Sequence, residues 1–142
     1  MKFFIASPWK NKEQVEKLTE ELKSQGHDVY SFLESGENLL TGQSIEEEMK
    51  VYWEALANWR NDKRISQIFE SEMNGLKSCD ALILLLPAGD SSHVEAGTAY
   101  GLGKKLILIG PINKPEVGYL MFNKIYLDAT SFIKDLPSIT SA

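Results

Sequence analysis

The sequence predicts an α/β fold: a doubly wound parallel sheet with helices on both faces, in a single domain over residues 1–142. Short apolar runs, such as residues 2–6 and 81–86, alternate with longer stretches whose apolar residues recur at helical spacing. Runs that are apolar on both faces are typical of strands buried in a parallel sheet. Strands that alternate with helices in this way indicate a flavodoxin-like arrangement.

The first part of the chain predicts two strands and a helix. Residues 2–6 form an apolar run expected of a central strand. Residues 11–25 carry apolar side chains on one helical face, and Gly26 is a stop signal. Residues 27–32 alternate as a second strand, and residues 34–42 are expected to form a loop.

Two helices are expected next. Ser44 and Glu47 match a capping box, which predicts a helix start. A second helical pattern covers about residues 63–77, and Glu72 falls in the middle of its apolar face. A carboxylate there must pair, become protonated or face a cavity, unless its side chain escapes at the rim of the stripe. Near the carboxyl end, residues 123–127 predict a last strand and the tail from Asp128 a short helix.

The most informative segment lies between residues 79 and 109. It reads as a buried strand, a polar turn, a helix of small residues and a second buried strand. Such a unit places the turn and the start of the helix at the carboxyl edge of a parallel sheet. Open α/β proteins bind small molecules at that edge.

Glu95, in the small-residue helix, has two interpretations. Ser92 and Glu95 fit a capping box, in which Glu95 would bond to its own backbone. The glycines that follow favour instead a backbone pressed against the sheet or a ligand. The helix dipole is expected to keep this carboxylate ionised, as a nucleophile at an anomeric carbon requires.

Asp90 and Glu72 carry similar alternatives. Asp90 either closes a turn with its own backbone or orients a ligand and exchanges a proton with it. Trp9, after the first strand, either stacks on a flat ring of a ligand or is a surface or core tryptophan. If Glu72, Asp90 and Glu95 converge on one cleft, they suit glycosyl chemistry. That chemistry commonly uses one carboxylate as nucleophile and another group for the proton of the leaving group.

Composition argues against several classes of partner. The formal net charge of -5 disfavours a nucleic-acid backbone. No run approaches the roughly 20 apolar residues that a membrane span needs. The single cysteine, Cys79, excludes an internal disulfide and fits a reducing, cytoplasmic setting. No Cys or His residues have metal-ligand spacing.

Three segments resemble the nucleoside 2-deoxyribosyltransferases: residues 4–9, residues 72–80 and residues 94–104. The last contains Glu-x-Gly-x-Ala-x-x-x-Gly-Lys, the most specific element. The likeness covers most of the chain up to about residue 110. It implies a flavodoxin-like fold and exchange of the base of a 2'-deoxynucleoside for a free nucleobase through a covalent deoxyribosyl-enzyme. It implies no metal or organic cofactor.

The resemblance also implies roles for particular residues. It aligns Glu95 with the family nucleophile, and Glu72 and Asp90 with two family aspartates near the substrate. The substrate-binding residues it implies are Phe4, Ser7, Trp9, Gly89, Ser92, Met121 and Asn123.

The chain departs from the family at several positions. Phe4 stands where members often have a tyrosine that contacts the nucleophile. In the family a neighbouring subunit completes the site through an asparagine and a methionine. Met121 fits the methionine, whereas Tyr119 stands at the asparagine position, with Asn123 as an alternative. The implied assembly is a homo-oligomer, a hexamer or a dimer. Residues 137–142 do not resemble the aromatic carboxyl terminus of some members.

Two other functions compete with base exchange. The first is hydrolysis of the N-glycosidic bond of a nucleoside 5'-monophosphate, which needs an arginine or a serine-rich cradle for the phosphate. Ser7, Ser91 and Ser92 are available, and the nearest candidate arginines are Arg60 and Arg64. The second is a non-catalytic nucleotide-binding module, because one fold hosts many functions.

Overall fold

The sheet of the computed structural model, which describes residues 1–36 and 45–141, is parallel throughout. Its strands are β1 (Lys2–Ala6), β2 (Asp28–Tyr30), β3 (Ala81–Leu85), β4 (Lys105–Ile109) and β5 (Lys124–Tyr126). They lie in the order β2-β1-β3-β4-β5. This order confirms the predicted α/β class and its flavodoxin-like arrangement.

Helices fill the connections between the strands. Within the described ranges they are α1 (Lys12–Ser24), α2 (Phe32–Gly36), α3 (Ile45–Leu56), α4 (Lys63–Ser78), α5 (Asp90–Gly101) and α6 (Ala129–Thr140). Two short 3-10 turns, Trp9–Asn11 and Val117–Met121, flank this framework.

The alternation of side chains along the strands divides the core into two layers. Phe3 and Ile5 of β1 point to the face packed with residues of α1 and α6. Phe4 and Ala6 point to the opposite face, where residues of α4 and α5 cover the sheet. β3 is buried at every position, as expected for the middle strand of a sheet covered on both faces.

The structure corrects the prediction for the second strand and the loop after it, because a short helix stands where the two were expected to meet. β2 ends at Tyr30, and α2 begins at Phe32. Glu34 accepts a hydrogen bond of 2.7 Å from the backbone N–H of Ser31, and the Ser31 hydroxyl accepts one of 3.2 Å from Leu33. This is a capping box, which starts a helix in place of the strand's last residues. The rest of the predicted loop, from residue 37, and the predicted cap Ser44 lie outside the described residues.

The other helix starts follow from local sequence. The Asp62 carboxylate accepts a hydrogen bond of 2.8 Å from the backbone N–H of Arg64 and caps α4. The Asp128 carboxylate accepts one of 2.7 Å from Ser131 and caps α6. In the described part of the chain, no helix has the length and apolar character needed to cross a bilayer.

Candidate active site

A cavity opens beyond the carboxyl ends of β1 and β3. In the sheet, β1 has β2 as its neighbour on one side and β3 on the other, so the strand order reverses between β1 and β3. Open α/β sheets bind ligands at such a point. The cavity volume is about 490 Å³, within the usual range for small-molecule sites. Eight of the predicted site residues line this cavity: Phe4, Ser7, Trp9, Glu72, Gly89, Asp90, Ser92 and Glu95.

A buried asparagine, Asn11, ties together the loops that follow β1 and β3. The Ser7 hydroxyl donates a hydrogen bond of 3.0 Å to the Leu85 carbonyl and accepts one of 2.9 Å from the Asn11 amide. The same amide donates to the Pro87 carbonyl at 2.8 Å. These bonds tie the loop after β1 to the loop after β3. Ser7 therefore supports the site framework in addition to lining the cavity.

Stacked aromatic rings form one wall. The Trp9 and Phe32 rings lie 4.5 Å apart and within 19° of parallel, and the Phe4 and Tyr30 rings lie 5.1 Å apart at 28°. Gly75 of α4 packs against the second pair, where a Cβ atom would approach Tyr30 to 2.9 Å. Because all four rings line the cavity, the wall suits a flat aromatic ligand.

The capping-box interpretation of Glu95 is wrong. α5 begins at Asp90 with Gly89 as its N-cap, and no side chain caps it. Ser92 is therefore the third helical residue, and Glu95 the sixth. The Asp90 side chain makes no hydrogen bond or ion pair with a described residue, so it does not close a turn with its own backbone.

Two glycines of α5 do not bring its backbone close to the sheet, which was one of the two predicted reasons for them. A Cβ atom added at Gly97 or Gly101 would meet nothing within 4 Å, so neither glycine is required by close contact with the sheet. The residues of α5 that pack on the sheet are Ala96 and Ala99, which are 2% and 0% exposed. The close backbone approach near the site occurs at Gly75 instead.

Glu95 and Glu72 form an electrostatically coupled pair in the cavity. Burial and the charge of Glu72 raise the pKa of Glu95 to about 8. Burial raises the pKa of Glu72 to about 7. The expectation that the helix dipole keeps Glu95 ionised is therefore wrong. Glu95 lies beyond the first helical turn, where the effect of the dipole fades, and burial dominates.

Neither carboxylate has a protein partner within the described residues. No hydrogen bond or ion pair to Glu72 or Glu95 occurs there, although both side chains are half-buried. Glu72 does not escape at the rim of its helix but faces the cavity. Burial removes part of the water that would otherwise solvate these carboxylates, and no described side chain replaces it. The pair is available to a ligand.

The remaining predicted residues lie elsewhere. Met121 lines a separate depression of about 500 Å³, which shares Gly89 and Asp90 with the cavity. The Asn123 side chain accepts a hydrogen bond of 2.8 Å from the backbone N–H of Leu106, which joins the loop before β5 to β4. His93 and Tyr119, also at the depression, are hydrogen-bonded to each other at 3.0 Å.

The sequence-based prediction missed two site residues. Asn11 carried a weak signal, a polar residue at the start of a helix. Tyr52 of α3 lines the cavity together with Met49 and Leu56. In the sequence, these three residues fall on one apolar face of the predicted helix, where a tyrosine resembles an ordinary core residue. Only the packing of α3 beside α4 places its hydroxyl near the two glutamates.

Basic and metal-binding groups are scarce at the site. No lysine, arginine or histidine lines the described part of the cavity. Arg64 binds the carboxylate of Asp62 through two side-chain hydrogen bonds, and Arg60 lies over the Trp59 ring. Among residues 1–36 and 45–141, no cluster of three or more His, Cys, Asp or Glu side chains could hold a metal ion.

Comparisons with known proteins identify solved structures with a similar fold. No protein-family model matches the chain, and no curated protein matches it significantly in sequence. Among solved structures, the chain is similar to a 2-deoxyribosyltransferase from Bacillus psychrosaccharolyticus, with a TM-score of 0.62 and 20% identity. That match covers 94% of this chain and 90% of the other.

A second solved structure is the CMP N-glycosidase of Clostridium botulinum. It matches with a TM-score of 0.59 and 19% identity, over 96% of this chain and 99% of the other. Both neighbours are enzymes that act on nucleosides or nucleotides. The resemblance drawn from the sequence is thus confirmed at the level of the fold.

Proposed function

We propose that this chain is a nucleoside 2'-deoxyribosyltransferase, which exchanges the base of a 2'-deoxynucleoside through a covalent deoxyribosyl ester of Glu95. The observation that carries the proposal is the pair of unpartnered, half-buried glutamates in an aromatic-walled cavity. The aromatic wall suits a nucleobase, and the carboxylates suit chemistry at the anomeric carbon.

The pair divides the reaction between a nucleophile and an acid. The ionised Glu95 carboxylate attacks C1', the C1'–N bond breaks, and its electron pair goes to the base nitrogen. Protonated Glu72 gives its proton to the departing base, so the negative charge moves from Glu95 to Glu72. A second base then attacks C1' from the original face and returns the proton to Glu72. Two inversions give net retention.

The raised pKa values mean that the pair keeps a proton near neutral pH, but they do not assign the roles, because the higher pKa of the two is that of Glu95. The choice of Glu95 as nucleophile rests on the family resemblance. At neutral pH, two nearby buried carboxyl groups hold about one proton between them. A singly protonated pair contains both a nucleophile and an acid. Asp90, at the cavity and the first turn of α5, is available to orient the sugar hydroxyl groups.

The charges of the site favour a neutral nucleoside over a nucleoside monophosphate. Glu72, Asp90 and Glu95 line the described part of the cavity without a basic side chain, and a phosphate would be repelled there. The two candidate arginines are engaged elsewhere: Arg64 binds Asp62, and Arg60 lies over the Trp59 ring. Hydrolysis of a monophosphate stays as the second candidate, because Ser91 and Ser92 line the cavity at the N-terminus of α5.

The proposal includes a homo-oligomer, a hexamer by the family resemblance, in which a neighbouring subunit completes the site. Support comes from the turn that carries Tyr119 and Met121. Val117 and Leu120 in this turn are 87% and 91% exposed, an unusual state for large apolar side chains.

Incubation with deoxyinosine, with and without adenine, tests the function. We expect deoxyadenosine to form only when adenine is present. Free sugar released without an acceptor would indicate hydrolysis, and no reaction would indicate a binding module. Deoxyinosine 5'-monophosphate, run in parallel, separates the two candidate substrate classes.

Glu95→Gln is the variant that assigns the exchange to Glu95. It keeps the shape of the side chain and removes the nucleophilic oxygen, so we expect exchange to fall by a factor of at least ~1,000 with unchanged unfolding. The matched control is Glu70→Gln, an exposed position on α4. Exchange retained by Glu95→Gln would remove Glu95 as nucleophile.

A further inference from the structure

The hydroxyl of Tyr52, a cavity-lining residue, is a further polar group without a hydrogen bond to a described residue. Tyr52 lies on α3 and lines the cavity together with Met49 and Leu56. Its side chain is half-buried, whereas the next residue, Trp53, is 59% exposed. Within the described residues, no hydrogen bond is made by the Tyr52 hydroxyl.

The charged groups described near this hydroxyl are acidic. Glu72 on α4 and Glu95 on α5 both act on Tyr52 electrostatically, and Glu72 has the larger effect. Asp90 lies on the same cavity, and Glu48 lies one turn earlier on α3. Burial and the two glutamate charges raise the pKa of Tyr52 above its usual 10, so the hydroxyl stays protonated at working pH.

A neutral hydroxyl beside two carboxylates acts as a hydrogen-bond donor to the one that is ionised. Other donors near β1 are limited. Phe4 has none, and the Ser7 hydroxyl already donates to the Leu85 carbonyl. Catalytic hydrogen bonds often tighten only when substrate binds, so a hydroxyl that makes no bond to a described residue is consistent with this role.

We propose that Tyr52 is a positioning residue whose hydroxyl donates a hydrogen bond to Glu95 before the attack and to Glu72 after it. This inference rests on the proposed function. During the first step the C1'–N bond breaks, the C1'–O bond to Glu95 forms, and the proton of Glu72 goes to the base. The negative charge thus crosses from Glu95 to Glu72, and Tyr52 faces both ends of that path.

Tyr52→Phe tests the inference, because it removes the hydroxyl and keeps the ring. We expect kcat to fall roughly 10- to 100-fold, the effect of one hydrogen bond to a charged group, with KM changed less than about twofold. Loss of a donor to the ionised form raises the pKa of Glu95 in the complex. The acid limb of the kcat–pH profile should therefore move to higher pH.

Tyr100→Phe is the matched control. Tyr100 is 55% exposed on α5 and does not line the cavity. Removal of its hydroxyl should therefore leave kcat, KM and the pH profile unchanged. Both variants should unfold at the wild-type temperature, since neither hydroxyl bonds to a described residue. A change in KM alone would place the Tyr52 hydroxyl on the substrate and overturn the positioning role.

The outcomes separate this inference from the proposed function. If wild type exchanges bases and Tyr52→Phe matches it in kcat and pH profile, only the inference fails. If wild type hydrolyses the substrate instead, the proposed function fails, and the role of Tyr52 is still decided from the rate of base release, because the same charge transfer occurs. If wild type neither exchanges nor hydrolyses, both fail together.

Discussion

At the residue scale, burial is the main control on when Glu95 becomes ionised, and the charge of Glu72 adds to it. The pKa of Glu95 is raised to about 8 by burial and by Glu72, and that of Glu72 to about 7 by burial. Below this range both carboxyl groups are protonated and no nucleophile exists. Above it both are ionised and no acid exists. Activity should therefore have a maximum near neutral pH, where one proton is shared.

Glu72→Gln should remove the basic limb of the kcat/KM profile. In wild type the activity falls at high pH because Glu72 loses its proton, and a glutamine has no such proton to lose, so the activity of the variant should rise with ionisation of Glu95 and then stay level. The maximal rate should fall about 100-fold, because an amide at this position has no acidic proton to give to the base. The measurement is kcat/KM from pH 4 to 10 for wild type, Glu72→Gln and the exposed control Glu70→Gln.

Two results would contradict this assignment. An acid limb of wild type near the usual glutamate pKa would mean that burial does not control ionisation at the site. A basic limb that persists in Glu72→Gln would mean that another group gives the proton to the base. Either outcome would separate Glu72 from the chemistry at Glu95.

At the element scale, the packing of α4 against the sheet shapes the aromatic wall. Gly75 lies where the helix meets Tyr30 and Phe4, and a Cβ atom there would come within 2.9 Å of one ring and 3.1 Å of the other. The Tyr30 hydroxyl donates a hydrogen bond of 3.0 Å to Ser71 on the same helix. The glycine therefore sets the distance between α4 and the rings that line the cavity.

Gly75→Ala should destabilise the fold in spite of the better helix propensity of alanine. Overpacking costs about 1–3 kcal/mol, against a propensity gain of about 1 kcal/mol. At Gly97, inside α5, a Cβ atom meets no other atom within 4 Å, so Gly97→Ala should be neutral or stabilising. Urea unfolding of both variants measures the difference. Equal stability of the two would show that α4 moves freely away from the sheet.

At the scale of the whole molecule, the exposed apolar turn before β5 predicts self-association. Leu120 is 91% exposed there, and Phe69 on α4 is 61% exposed. Wild type should sediment as an oligomer, and Leu120→Glu should dissociate it and reduce exchange, because a neighbour's Met121 no longer reaches the cavity. Phe69→Glu, on another helix, should change neither property. A wild-type monomer with full exchange activity would contradict the shared site.

The sequence predicted much of this architecture from local signals. The buried run of β3, the turn after it and the small residues of α5 placed Asp90 and Glu95 at the correct edge of the sheet. The position of Glu72 on an apolar face correctly indicated an unusual carboxylate. These predictions succeed because helical and strand periodicities are local properties of the chain.

The errors arose where tertiary packing decides. α5 begins two residues before the predicted cap at Ser92, because the backbone of Gly89 is extended and Asp90 is already helical. The direction of the Glu95 pKa shift depends on burial by other elements, which no local pattern encodes. Tyr52 joins the site only through the packing of α3 against α4. The cap at Ser31, by contrast, carried a readable Ser-x-x-Glu signal.

Intact-protein mass spectrometry after mixing with deoxyinosine in the absence of an acceptor base tests the central claim most directly. The account predicts a mass increase of one deoxyribosyl group, located on Glu95 by peptide mapping and released when adenine is added. An adduct on another residue, or base exchange by wild type while a Glu95→Ala variant exchanges equally fast, would contradict it.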